Sequence, residues 1–335
     1  MDMLEVLKKL NRLHGPAGEE TAVAAAIREL AAPYADEIKS DSMGNLIVHR
    51  SGNGPRVMFA AHMDSIGFLV THIEKEGYLR VGKIGGISPS AVLNTPVRFK
   101  NGTRGVVTAD AKTLAKGPKM DDVVVDIGAH SADEAKSMGI QVGDTAVYDT
   151  PTFSAGSRMV SPYMDNRICC IAQLMALEQV TSRENDLYFV FTTQEELGLR
   201  GAKTAAYSIE PDYAVVTDVT LSDDVVGADH SGSSHLGGGA AIKVMDNSVI
   251  CHPAMVSLLE KLAQEHQIAA QRDIIRSGGT DAGPIHVSRT GVYTGGVSVP
   301  CRYIHTPTEM VERGDVEATA RLLAAFAQSH LEQEL

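Results

Sequence analysis

Five short segments carry the side chains best suited to chemistry. They read AHMD (His62, Asp64), MDNR (Asp165), QEELG (Glu195, Glu196), VTDV (Asp218) and YIHT (His305). Most follow an apolar run that stops at a polar residue. That pattern places them at strand ends and loops, where an open α/β sheet builds its site. Imidazoles and carboxylates together bind zinc-like cations. Five candidate ligands with a free carboxylate beside them meet the needs of two metal ions that share a bridging carboxylate and work with a general base.

Each segment also has an ordinary reading. His62 and Asp64 lie on the same side of an extended chain, so the carboxylate can hold the ring through its other N–H; the alternative is a solvated pair in a turn. Asp165 opens a helix, where a carboxylate commonly caps; the functional reading is a carboxylate spanning two cations. Glu195 and Glu196 follow an apolar strand directly. Two buried neighbouring carboxylates are costly without cations, and adjacent residues can point different ways, one to ligate and one to move protons. The alternative is an acidic first helical turn favoured by the helix dipole. Asp218 is the one charged residue of AVVTDVT, a position also suited to a turn. His305 precedes Thr306-Pro307 in a loop.

The elements that must position these residues alternate. Leucines at 4, 7, 10 and 13 predict a helix over 3–13, stopped by Gly15-Pro16, and an Ala-rich helix follows over 19–31. NLIVH and RVMFAA read as strands, the second leading into His62. From about 67 to 159 the texture changes to short alternating strands (YLRVGKI, TPVRFK, RGVVTA, DTAVYD). A short helix at 131–138 interrupts them, with Ser131 and Glu134 at capping-box spacing. Helix–strand alternation returns with NRICCIAQLMALEQV, DLYFVFTT, DYAVVTDV, a helix over 253–266, the strand GVSV and a closing helix at 314–331. The predicted fold is α/β: a doubly wound central sheet with helices on both faces, from residues 1–66 and 160–335. A small β-barrel-like domain, 67–159, is inserted in it. The glycine-rich GSSHLGGGAAIK lacks a phosphate-loop pattern and reads as a turn at a strand, so His230 and His235 default to core or surface roles. In SGGTDAGPIH, Asp281 and His286 line a pocket or make turn hydrogen bonds.

The 335 residues are 44% hydrophobic, ample for a large core. Thirty basic against 42 acidic side chains give a formal charge of −12, which argues against nucleic acid or an anionic membrane as partner. The N-terminus has an amphipathic pattern without a signal-peptide core, and no run is apolar enough to span a bilayer. Four cysteines (169, 170, 251, 301) without a C-x-x-C pair indicate buried thiols and a cytoplasmic chain.

Together AHMD, DNR, EELGLRGA, VTD, SGGTDAG and RYIHTP-x-EM resemble the tetrahedral aminopeptidases, which include glutamyl and leucyl aminopeptidases, over essentially the whole chain. The resemblance implies two divalent metal ions, zinc or cobalt with manganese also admissible. His62, Asp165 and Asp218 would hold one; Asp165, Glu196 and His305 the other. It makes Glu195 the general base and Asp64 the residue that orients His62. One departure is Ser65, where an acidic residue is commoner; the ligand set is intact. The implied substrates are short peptides with a free N-terminus. The inserted domain resembles one that forms dimers, which assemble into tetrahedral dodecamers. Rival readings are a metal deacylase acting on N-acylated amino acids and a non-catalytic assembly protein on the same scaffold. Arg276, Arg289 and Arg302 are candidate partners for acidic N-terminal residues.

Overall fold

A computed structural model describes residues 1–114, 116–228 and 234–331. Its centre is a large mixed sheet. Strand order across it is Glu37–Ser40, Leu46–Arg50, Asp186–Thr192, Arg56–His62, Tyr213–Val216, Tyr293–Arg302, Glu309–Glu312, Arg158–Ser161 and Phe153–Ala155. The four strands from Asp186–Thr192 to Tyr293–Arg302 are mutually parallel, and the flanking pairs are antiparallel. Every residue of Val57–His62 is buried. Such a continuous apolar run suits a strand covered on both faces.

Helices cover both faces. Met164–Gln179 packs on Arg313–Ala327 and on Met3–Asn11, while Arg200–Ile209 packs on Ala282–His286. Arg200–Ile209 buries Gly201, Ala202, Ala205, Ala206 and Ile209, a one-sided stripe at helical spacing. The Phe59 ring stacks on Phe189 at 4.7 Å and meets Phe326 edge-on at 6.2 Å, tying sheet to closing helix. The first helix ends at Asn11, and the Asp2 carboxylate accepts from the Leu4 and Glu5 amides at its start.

Six strands close a separate barrel: Gly67–Ile73, Leu79–Ile84, Val123–Asp126, Arg104–Ala109, Pro96–Phe99 and Thr145–Tyr148. Closure leaves no free edge. Phe68, Leu79, Val97, Phe99, Val107 and Val125 belong to an apolar cluster distinct from the main core. Gly67–Ile73 and Val123–Asp126 stand outside the alternating segments read from sequence. The helix read at 131–138 spans Ala132–Ser137; the Ser131 hydroxyl accepts from the Glu134 amide, as the capping spacing predicts. The hairpin Phe153–Ala155 and Arg158–Ser161 pairs with the large sheet, so chain 153–159 hydrogen-bonds there rather than in the barrel. Among the described residues no helix is long and apolar enough to cross a membrane.

Candidate active site

Strand register delivers the site. Thr192 pairs with His62 and Val216 with Ala60 in parallel neighbours, so the chain beyond each strand emerges at one edge. His62 is the last strand residue, Glu195 and Glu196 lie in the turn after Thr192, and Asp218 lies two residues past Val216. Asp165 enters from Met164–Gln179. The N-cap position there belongs to Tyr163, which gives no side-chain cap, and Asp165 has non-helical backbone angles; the capping reading is set aside. His305 comes from the loop between Tyr293–Arg302 and Glu309–Glu312.

The Asp165 carboxylate is the centre. Its Oδ1 lies 3.0 Å from His62 Nε2 and its Oδ2 3.2 Å from His305 Nε2. Asp218 Oδ1 is 3.7 Å from His62 Nε2, and Glu196 Oε1 is 3.3 Å from His305 Nε2. Two groups of possible ligand atoms result, His62–Asp165–Asp218 and Asp165–Glu196–His305, with atoms within 4.8 Å of one another. The adjacent glutamates diverge: Glu196 faces His305, while Glu195 Oε2 lies 3.9 Å from His62. Asp64 is fully buried. Its Oδ1 lies 3.5 Å from His62 Nδ1, and its two oxygens accept the amides of Glu195 (3.1 Å) and Glu196 (3.2 Å).

Electrostatics show an excess of buried negative charge. Burial pushes the Glu195 carboxyl well above its ordinary range, and Asp218, Asp281 and Glu196 add to the shift. Burial likewise raises Asp218 and Glu196. Asp165 is buried too, but the two imidazoles hold it below the usual carboxylate range. Burial disfavours charge on the rings, yet the surrounding carboxylates overcome it. His62 is raised well above its ordinary value, and His305 from 6.5 to about 12. The buried bases Arg167 and Lys243 direct their donors elsewhere: Arg167 to the Leu10, Leu13 and Gly15 carbonyls, Lys243 to Asp273.

The site opens into a cavity of about 520 Å³ bordered by Leu199, Leu221, Ile275, Gly278, Gly279 and Ile304. A groove of about 600 Å³ between residues 53–56 and 288–293 sits at the amino ends of the parallel strands; it is lined by Arg289 but by none of the candidate metal ligands or Glu195. The barrel covers the other flank. A Cβ on Gly85 would meet Glu196 Oε2 at 2.6 Å, and one on Gly86 would meet His305 Nδ1 at 2.7 Å.

Arg276 adjoins the cavity-lining Ile275 and Ser277. Arg302 is instead paired with Asp224 at 2.6 Å, and Arg289 with Glu210 at 2.8 Å beside Tyr207. Asp281 is buried; its Oδ2 accepts from the Thr192 hydroxyl at 2.5 Å, its Oδ1 has no hydrogen-bond partner among the described residues, and burial raises its pKa to about 6. His286 Nδ1 contacts the Ala282 carbonyl at 3.0 Å, a turn role. His235 is exposed, and His230 lies outside the described residues. The Ser65 hydroxyl donates to the Gly15 carbonyl, away from the carboxylate cluster.

A family model described as M42 glutamyl aminopeptidase matches residues 44–322. The chain belongs to the M42 peptidases. It is 36% identical over 340 residues to a lysyl aminopeptidase of Pyrococcus furiosus, covering 97% of this chain and 96% of the relative. Aminopeptidase APDkam598 from the archaeon Desulfurococcus kamchatkensis superposes with a TM-score of 0.94 at 38% identity, covering 98% of this chain and 94% of the other. The TET1 peptidase of Pyrococcus horikoshii, which can assemble into a tetrahedron or a large octahedral shell, gives 0.86 at 31% identity with 97% and 99% covered. This M42 peptidase is accordingly an aminopeptidase, a hydrolase of peptide bonds at the N-terminus. Two residues that shape its site escaped the sequence reading. Glu20 Oε1 accepts from the Gln194 amide at 3.1 Å, and the buried Glu309 accepts from the Asp165 and His305 amides. Glu309 stands in the quoted RYIHTP-x-EM motif, but no spacing rule marks it.

Proposed function

We propose that this aminopeptidase works with two divalent cations bridged by Asp165, one completed by His62 and Asp218, the other by Glu196 and His305. The observation that carries the reading is that the two Asp165 oxygens face one imidazole each, at 3.0 and 3.2 Å. The donor set fits such a pair. Asp64, Asp165, Glu195, Glu196, Asp218, Asp281 and Glu309 crowd around two imidazoles, and the buried Glu196 Oε1 has the His305 ring 3.3 Å away. Buried carboxylates in that number need cations. Zinc, cobalt and manganese suit the mixture of carboxylate and imidazole.

When bound, the cations supply polarisation of the scissile carbonyl and a lower pKa for the attacking water. Glu195 does the proton work. Its carboxylate accepts no hydrogen bond among the described residues, and burial and carboxylate neighbours raise its proton affinity. It takes the proton of the water and returns one to the leaving amine. Asp64 fixes where that carboxylate stands by holding the Glu195 amide. The free amino group of a short peptide is drawn to the carboxylate cluster, so an N-acetylated peptide, lacking that charge, is rejected.

The inserted barrel serves dimer formation, and the dimers build a tetrahedral dodecamer; the shells formed by TET1 support this. The buried, unpaired cysteines fit a cytoplasmic location. A panel of aminoacyl substrates with free or acetylated amino groups, run with each metal, tests the chemistry. Cleavage of free-amine substrates alone is expected. Cleavage of acetylated substrates alone would make the chain a deacylase.

A further inference from the structure

We propose that Glu309 is the positioning residue of the second ligand group, Asp165–Glu196–His305, and holds that half of the site ready for its cation. The inference rests on the two-cation reading above.

Glu309 opens the strand Glu309–Glu312 and is 1% exposed. A glutamate in such a place is costly unless donors or cations meet it. Its donors are two backbone amides, and both belong to ligand residues: Oε1 accepts from His305 at 2.7 Å and Oε2 from Asp165 at 2.9 Å. With each oxygen engaged by an amide, Glu309 acts through ligands rather than as one. Glu312, at the other end of the strand, is instead held by side chains, accepting from the Ser157 hydroxyl at 3.1 Å and lying 3.4 Å from Arg158.

The amides it holds are those that need holding. His305 has φ +64° and Tyr303 φ +61°, in the left-handed region that residues with a side chain disfavour. Asp165 precedes the regular part of its helix. His305 and Asp165 lie 140 positions apart in the chain, yet one carboxylate spans both, fixing imidazole and bridging carboxylate relative to each other. Asp64 does the same for Glu195 and Glu196. His62 and Asp218 have a different anchor, the paired parallel strands that lead to them, so the first ligand group touches Glu309 through Asp165 alone, whereas the second touches it through both Asp165 and His305.

Glu309→Gln tests this. The amide keeps the shape but offers a single acceptor, and its NH₂ group turns a donor toward the other backbone N–H. Metal-free wild-type protein and variant are titrated with zinc by calorimetry, and bound metal is counted by elemental analysis after dialysis. Wild type should bind two ions. The variant should bind the second about 10–100-fold more weakly, the usual effect of removing such an outer partner, and the first with a clearly smaller loss. Its metal-free melting temperature should stay near that of wild type. Glu309→Asp, too short to span both amides, should show the same selective loss if the Gln variant fails to fold. Equal weakening of both ions would mean a general structural role and overturn the inference. So would two ions bound as tightly as in wild type. A wild-type protein that binds one ion would overturn the two-cation reading and this inference with it.

Discussion

Glu195 and Glu196 are neighbours in the chain with different surroundings. Glu196 faces His305 and Asp165, while the Glu195 carboxylate accepts no hydrogen bond among the described residues. Glu195→Gln should therefore leave both cations bound and lower kcat by about 10²–10⁴-fold, the usual contribution of a general base. Turnover equal to wild type at full metal occupancy would remove Glu195 from that role. Asp64→Asn should act differently. One of the two glutamate amides loses its acceptor, so metal affinity and kcat should fall together; titration and steady-state kinetics on one preparation compare them. The candidate ligand positions stood out because most of them follow an apolar run that stops at a polar residue. Glu20 and Glu309 did not. Their role rests on backbone amides at 194, 165 and 305, and no local pattern ties a glutamate to an amide so far along the chain.

Register is what turns separate motifs into a site. Parallel pairing of Asp186–Thr192 with Arg56–His62 sets Thr192 beside His62, so the turn bearing the glutamates emerges next to the first imidazole. Apolar runs revealed those strands, and turn residues revealed the barrel texture. Val123–Asp126 was hidden because VVVD is a continuous apolar run with no alternation. The contact between barrel and ligands was hidden as well: Gly85-Gly86 reads as a turn in sequence, and its closeness to Glu196 and His305 exists only in three dimensions. Gly86 shows no positive φ, so Gly86→Ala tests that contact without backbone strain. Its new methyl would crowd the His305 ring, and overpacking costs about 1–3 kcal/mol. Zinc titration should show the second ion weakened by about tenfold or more. Unchanged affinity would mean the barrel is a bystander to the site.

At the scale of the whole molecule, the buried acids make stability depend on cations and on pH. In the metal-free protein Asp281, Glu195 and Asp218 have raised pKa values, so the folded state retains protons that the unfolded chain has lost. For Asp281 the window runs from the ordinary 3.8 to about 6. His305 works in the same direction. Its stabilising charge is complete below the ordinary 6.5 and lost as pH rises toward about 12. Above about pH 6.5, where the lowered groups Asp165 and His14 have lost their protons in both states, the unfolded state binds fewer protons at these sites and stability falls as pH rises. The chelator-treated protein should melt at progressively lower temperature from about pH 6.5 to pH 9. Zinc binding, which requires deprotonated ligands, should reduce that decline. A metal-free melting temperature that rises over this range would contradict the charge picture. Light scattering should give an assembly of twelve 35.7 kDa chains; a monomer would remove the dodecamer without touching the chemistry.

The central claim is the pair of cations astride Asp165. Anomalous diffraction at the zinc edge, from crystals of the zinc-loaded full chain, tests it most directly. Two peaks per chain are predicted, about 3.5–4 Å apart. One should lie against His62 and Asp218, the other against Glu196 and His305, with the Asp165 carboxylate between them. A single peak, or peaks away from Asp165, would contradict the account.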